Sequence, residues 1–437
     1  FIHNNLPLNE RSFRINKLLS PNHDGLTSVS TEQHKMIKLI ELVNGNLVIN
    51  CPMHSSLLTN DPYNSSKEFT HMRYTACTSK PDTLKQENFT LRQTECESMR
   101  QTELFILITI NDEDEIPLSN TLNGIIENIA YLCSLTESPT WGKDGWKKII
   151  ICIISDRNKI NKRTLSYLKS LGVYQDGIAK SKVNNKAVRA HIYEYTTQIS
   201  IKCSKDFVDK KTVVSTQILF CLKEKNKRKI GSHQWLEIIL YLVDYLISSI
   251  DAFANDQVAG TCDKLHVMNN RGWTKLLNPI VGALIFEHKI SNIINKPFES
   301  TFGYISSLSK DFSAYSYSAF QDITNYTEDA SNNNILAKNN YLAKNNILCF
   351  ELISKCNFPW ILHYENLSQA EVDAPENFSD MIQQYICRLN EYFYTSSYAI
   401  THFYYIWRSG HSILRKICLQ IEIIYQILHF LFHSLLW

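Results

Sequence analysis

Three apolar runs in this chain end on charged side chains, and those endings are where chemistry could sit. Glu103 to Ile110 leads into Asn111-Asp112-Glu113-Asp114-Glu115, Ile149 to Ile154 into Ser155-Asp156, and Val214 to Leu222 into Lys223-Glu224. In open α/β sheets ligands are held just outside the carboxyl ends of parallel strands. Asp156 would then stand where the base or ribose of a nucleotide-sugar could be held. The same patterns also fit ordinary surfaces: a solvated acidic loop, an aspartate in water beyond a buried strand, and a basic run at Lys227-Arg228-Lys229 that opens a helix.

Such endings need a sheet to hold them in line. The run Ile149 to Ile154 is too short to span a membrane and reads as a strand covered on both faces. Before it, Gly142 and Gly145 let the backbone turn between Trp141 and Trp146, and Lys147 and Lys148 lead into the strand. Ile125, Ile126, Ile129, Ala130 and Cys133 fall at helical spacing within Thr121 to Leu135. That helix would cross over from the fully buried Glu103 strand to the Ile149 strand as a βαβ unit. Thr164 to Leu171 gives a second helix and His191 to Thr197 a further strand. Upstream, KLIELVNGNLVINCP from Lys38 sets Asn44-Gly45 between alternating apolar stretches, a hairpin signal. Residues 1–37 form a polar lead-in without periodicity. Residues 321–346 are low in complexity, with LAKNN at Leu336 to Asn340 and again at Leu342 to Asn346, and predict a solvent-exposed loop.

Composition bounds what such a sheet could serve. With 437 residues, 44% hydrophobic and 20% charged, the chain can form one large domain or two modest ones. A formal charge of +2 makes no case for nucleic acid, whose binders concentrate basic charge. The 12 cysteines include no C-x-x-C pair, and Cys152 and Cys221 lie inside apolar runs. They fit small core residues in a reducing compartment better than a disulfide frame or a zinc site. No basic-then-apolar leader follows Phe1. Ile417 to Trp437 is apolar over about the length needed to cross a bilayer, with Glu422, Gln426 and two histidines inside it. Tyr392 to Trp407 is aromatic-rich and suits either a helix lying at a membrane surface or an ordinary core stripe.

Taken in order, these segments resemble fungal chitin synthases. Trp141-Gly142-Lys143-Asp144-Gly145-Trp146-Lys147-Lys148 is nearly identical to the family segment that precedes a strand ending in Ser-Asp-Gly, here Ser155-Asp156-Arg157. Gln217, Phe220, Cys221, Lys223 and Glu224 match Gln-x-x-Phe-Cys-Leu-Lys-Glu, and Thr109, Glu113, Asp114 and Glu115 match the end of the first strand. Leu277-Asn278-Pro279, Phe286 to Asn292 and Phe302-Gly303-Tyr304-Ile305 continue the likeness, which runs from about Lys38 to the end.

The resemblance implies a glycosyltransferase A type α/β sheet with flanking helices and a C-terminal membrane-associated helix. Residues 38–100 would be an N-terminal segment, 101–390 the glycosyltransferase domain, and 391–437 an interfacial helix and the start of a transmembrane region. The implied reaction is inverting transfer of N-acetylglucosamine from UDP-GlcNAc to the 4-hydroxyl of a growing chitin chain. It would take place at the plasma membrane, with the catalytic domain facing the cytoplasm. Thr109, Glu113, Asp156 and Lys223 would face the nucleotide-sugar, Lys223 toward its diphosphate, and Gln384 the acceptor. A divalent cation, Mn2+ or Mg2+, would assist. The chain could also assemble with itself or with a complete chitin synthase.

Three departures bear on the catalytic step. After Ser232-His233-Gln234-Trp235 the family runs into a strand ending in Asp-Val-Gly-Thr, whose aspartate helps hold the metal. Here Leu236 to Ile250 rejoins the pattern near Val258-Ala259-Gly260, so that strand reads as deleted, with Asp244 either a stand-in metal ligand or, as its apolar surroundings favour, a partly buried or terminal aspartate on a helix. The family's Glu-Asp-Arg, whose aspartate is the general base, is here Lys344-Asn345-Asn346, and an amide has no useful basicity near neutral pH. Its Gln-Arg-Arg-Arg-Trp is here Gln384-Tyr385-Ile386-Cys387-Arg388. Two functions therefore stand: a working enzyme that draws base and metal ligand from elsewhere, or an inactive relative. The second would bind a UDP-sugar, accompany an active enzyme, or be a decayed gene product, and the three coincident substitutions favour it.

Overall fold

A computed structural model describes residues 46–54, 66–79, 90–92, 100–110, 112–202, 211–224, 257–267, 278–306, 312–321, 344–372 and 377–435, with a few single positions between them. These residues fall into two compact units, one up to residue 224 and one from residue 257 onward.

The first unit is built on a mixed sheet. Its strands are β1 (Leu47–Pro52), β2 (His71–Cys77), β3 (Leu104–Ile110), β4 (Ile149–Asp156), the short pair β5 (Lys182–Val183) and β6 (Lys186–Ala187), β7 (Ala190–Lys202) and β8 (Lys211–Lys223). Six of them lie in the order β1-β2-β7-β8-β4-β3, while β5 and β6 pair only with each other. β3, β4 and β8 run parallel, and β8-β7, β7-β2 and β2-β1 are antiparallel. Its α-helices among the described residues are α1 (Lys67–Thr70), α2 (Glu115–Ser134) and α3 (Lys162–Ser170).

Every residue of β4 is buried, as a continuous run of β-branched residues predicts for a strand covered on both sides. Ile149, Ile151 and Ile153 pack with Leu118, Leu122, Ile126 and Ile129 of α2, while Ile150, Cys152 and Ile154 pack with Leu91, Ile192, Leu219 and Cys221. α2 is the crossover between β3 and β4, starting six residues earlier than its apolar spacing suggests because Pro117 is tolerated in a first turn. β3 departs from expectation. Among the described strands it lies at one edge of the sheet, and it is mostly half-buried rather than fully covered. β1 pairs with β2, from Leu47 opposite Ala76 to Pro52 opposite His71. The arm of the expected Asn44-Gly45 hairpin that precedes the turn lies outside the described residues.

The second unit holds a three-stranded sheet in which β9 (Val258–Val267) lies between antiparallel β10 (Ser313–Tyr315) and parallel β11 (Ile361–Val372). Around it are α4 (Pro279–Ile290), α5 (Lys296–Phe302), α6 (Tyr317–Gln321), α7 (Lys344–Ile353), α8 (Phe378–His402), α9 (Tyr405–Arg408) and α10 (Ile413–Leu435). Pro279 opens α4 behind Asn278, whose side chain accepts from the Ile280 N–H. Phe350, Leu352, Ile353, Leu362, Ile406, Leu419 and Ile423 form its core.

One expectation is corrected here. Lys344, Asn345 and Asn346 are not loop but the first turn of α7, and Asn346 is buried. The terminal apolar stretch becomes α10, yet among the described residues no helix is long and apolar enough to cross a membrane. Its Leu419, Glu422 and Ile423 are buried. Ile413, Leu414, Ile421, Ile424 and Leu428 stay exposed, as do Tyr392, Phe393, Phe403, Tyr404 and Trp407.

Candidate functional site

The parallel strands of the first unit deliver their last residues to one edge of the sheet. Asp156 ends β4 and Lys223 ends β8, and the register sets them directly opposite each other. The Lys223 Nζ lies 2.7 Å from Asp156 Oδ1, with side-chain exposures of only 3% and 6%. Asp156 is therefore not a solvated aspartate beyond a strand. A buried charge costs several kcal/mol unless paired, and each of these two is the other's compensation.

One residue further along each strand, a second pair forms. Arg157 Nη1 donates to Glu224 Oε1. The same carboxylate oxygen lies 2.6 Å from His191 Nε2, and Tyr74 OH lies 2.8 Å from His191 Nδ1. The Lys180 backbone N–H donates to Tyr74 OH at 3.1 Å. A carboxylate only accepts, so Nε2 carries the imidazole proton and Nδ1 accepts from the phenol. Burial holds His191 below the ordinary histidine value, with Glu224 pulling the other way. Burial raises the Glu224 carboxyl, but hydrogen bonds from His191 and Arg157 outweigh it and leave its pKa low. Burial pushes the Tyr74 phenol up to about 12.

The acidic loop after β3 is tied to the start of α3. Thr164 Oγ1 donates to the Glu113 carbonyl at 2.7 Å. Asn161 Nδ2 donates to Asp114 Oδ1 at 2.7 Å while its Oδ1 accepts from the Arg163 N–H, capping α3. Thr109, opposite Ile154, is exposed at the end of β3, and Glu113 is exposed just beyond it. Partial burial raises the Glu113 carboxyl. The sheet thus brings Thr109, Glu113, Asp156 and Lys223 to neighbouring strand ends, Asp156 and Lys223 in direct contact. This edge offers a carboxylate, cations and a hydroxyl to a polar ligand.

The remaining sequence candidates lie elsewhere. Asn345, in the first turn of α7, and Gln384, exposed on α8, belong to the second unit. Asp244 lies outside the described residues. Among the described residues no group of three or more His, Cys, Asp or Glu side chains could hold a metal ion. The implied divalent cation therefore finds no donor set among the described residues.

Sequence reasoning missed Tyr74 and His191. Tyr74 is 117 residues from His191, and His191 is 33 from Glu224. Only the strand order β2-β7-β8-β4 brings the four participants together, so no local spacing could signal them.

The class follows from comparison with known domains. A family model described as a chitin synthase-like glycosyltransferase domain matches residues 104–241 and 241–403. A second, described as chitin synthase N-terminal, matches residues 35–103. The chain is 42% identical over 432 residues to chitin synthase 2 of Rhizopus oligosporus, covering 91% of this chain and 50% of that protein. It is 43% identical to chitin synthase 3 of Verticillium dahliae, over 91% of this chain and 48% of the relative. With chitin synthase C of Aspergillus oryzae the identity is 43%, over 91% and 47%. The chain belongs to the chitin synthase family, and it spans about half the length of the curated relatives it matches.

Proposed function

We propose that this chain binds UDP-GlcNAc at the carboxyl edge of β3, β4 and β8 and does not complete the transfer to chitin. The sheet is taken as a glycosyltransferase A type nucleotide-sugar fold. The observation that carries this reading is the gathering of Asp156 and Lys223, in register, beside Thr109 and Glu113.

Transfer asks for more than binding. A base must take the proton from the acceptor hydroxyl as it attacks the anomeric carbon, while cations stabilise the departing diphosphate. Asn345 stands at the base position and has no basicity to offer. Losing a general base costs typically about 10²–10⁴-fold. The family match comes in two pieces that meet at residue 241, which supports the reading that the segment with the metal-binding aspartate is missing. Of the acceptor motif only Gln384 remains in place. The natural setting of such a chain is the cytoplasmic side of the plasma membrane, beside a complete chitin synthase.

A second reading is a working chitin synthase with Asp244 as its Mn2+ or Mg2+ ligand, favoured by a likeness to chitin synthases that covers 91% of the chain. Titration calorimetry of UDP-GlcNAc into the full chain, with and without Mn2+, separates the two when paired with an assay for chitin formation. We expect saturable binding that is indifferent to Mn2+, and no polymer. Mn2+-dependent binding with product formation, both lost in Asp244→Ala, would establish the second reading. Absence of saturable binding under either condition would overturn both.

A further inference from the structure

We propose that Arg157 is the cation this chain presents to the diphosphate of its nucleotide, an inference that rests on the nucleotide-binding reading above. Where Arg157 stands, the resembled family has the glycine of Ser-Asp-Gly, and the lysine it turns to the diphosphate is here Lys223. Lys223 is already committed: its ammonium is buried 2.7 Å from Asp156. Arg157 follows Asp156 out of β4 at the same edge, with 45% of its side chain exposed.

Its aim is fixed from behind. The guanidinium is held by Glu224, Glu224 by buried His191, His191 by buried Tyr74, and Tyr74 by the Lys180 backbone N–H. The relay runs across β2, β7 and the ends of β8 and β4. An arginine anchored in this way has already lost much of its rotamer freedom, so a ligand that engages it need not supply that ordering. The guanidinium has five N–H donors in a planar fork, and the Glu224 contact engages Nη1. The rest of the fork suits phosphate oxygens, which arginine binds at more than one point. Glu224 serves as the tether, sharing its charge with His191 as well as Arg157.

The prediction is an increment specific to phosphate. Calorimetry on the full chain should show UDP binding tighter than uridine, and Arg157→Gly should weaken UDP by about tenfold while leaving uridine unchanged. Arg157→Lys should recover part of the loss, since it restores the charge but not the fork. If Arg157→Gly unfolds, Arg157→Gln removes the charge at similar length and carries the same test. Equal UDP affinity in the wild type and the variant would overturn the role. So would parallel loss of UDP and uridine, which would mark Arg157 as a structural support only. A wild-type chain that binds uridine but gains nothing from the phosphates also overturns it. A chain that binds neither overturns the underlying nucleotide reading.

Discussion

The two units treat buried charge in opposite ways. In the sheet unit the buried carboxylates have cations: Asp156 faces Lys223, Glu224 faces Arg157, Glu68 meets Arg100 at 2.7 Å, and Glu194 lies 3.7 Å from Arg73. In the helical unit Glu299 and Asp263 rest on neutral donors. Glu299 accepts from the Ser306 N–H and Oγ, and burial, with Glu422 nearby, pushes its pKa up to about 7. Burial raises Asp263 to about 6 in spite of a hydrogen bond from Ser368. A neighbouring cation favours the ionised carboxylate and burial without one favours the protonated form, so the difference teaches which unit acid should loosen and which base should loosen.

The largest way to break the contrast is to strand a charge in the sheet unit. Asp156→Leu removes the carboxylate that faces the buried Lys223 ammonium and should cost about 3–5 kcal/mol in urea unfolding. Adding Lys223→Met should recover most of that stability, because the pair is then replaced by apolar groups, while nucleotide binding stays lost. A substitution in the helical unit should act through shape instead. A Cβ at Gly410 would fall 2.7 Å from the Asn357 carbonyl oxygen and 2.9 Å from two further backbone carbons. Gly410→Ala should therefore cost about 1–3 kcal/mol, read as faster hydrogen exchange confined to residues near 357 and 410.

The pH dependence sharpens the comparison. His191 is held below 6.5 in the folded chain, and Glu68 and Glu224 below 4.5. Their contributions are full above those unfolded values and are lost as pH falls through the folded ones. Glu299 and Asp263 are raised, so theirs are full below 4.5 and 3.8 and are lost as pH rises to about 7 and about 6. Between pH 7.5 and 5.5, hydrogen exchange should show the sheet unit opening more readily and the helical unit less. His411, also held low by burial, works against this trend in the second unit, and Glu113 in the first. The smallest effect expected is from Glu299→Gln. It should stabilise the helical unit by about 1 kcal/mol at pH 7.5 and flatten its response, measured by the same exchange experiment.

Much of the sheet unit was legible in the sequence. The run Ile149 to Ile154 admits few alternatives to a doubly covered strand, and helical spacing in Thr121 to Leu135 marks its crossover. Strand lengths were less legible: His191 to Thr197 grows to thirteen residues in β7, because pairing with β8 extends it beyond its apolar part. Asp156 and Lys223 could be picked individually, but that they meet depends on a register no local pattern encodes. In the helical unit the repeat of LAKNN pointed to loop, whereas the second copy runs into α7 because Ile347 to Ile353 have a core to enter. The terminal apolar run was legible as a helix, but that Glu422 on it is buried was not, since no local pattern encodes what packs over that face.

The strand order of the first sheet also bears on how the chain acquires its structure. β8, the last in sequence of the described strands of this sheet, lies between β4 and β7, so the centre of the sheet is completed by a late arrival. A nascent chain stopped before residue 211 would hold two inner strands with open hydrogen-bonding edges, a template for the wrong partner. Closure must wait for contacts distant in sequence, which slows folding and lengthens the interval in which a chaperone is useful.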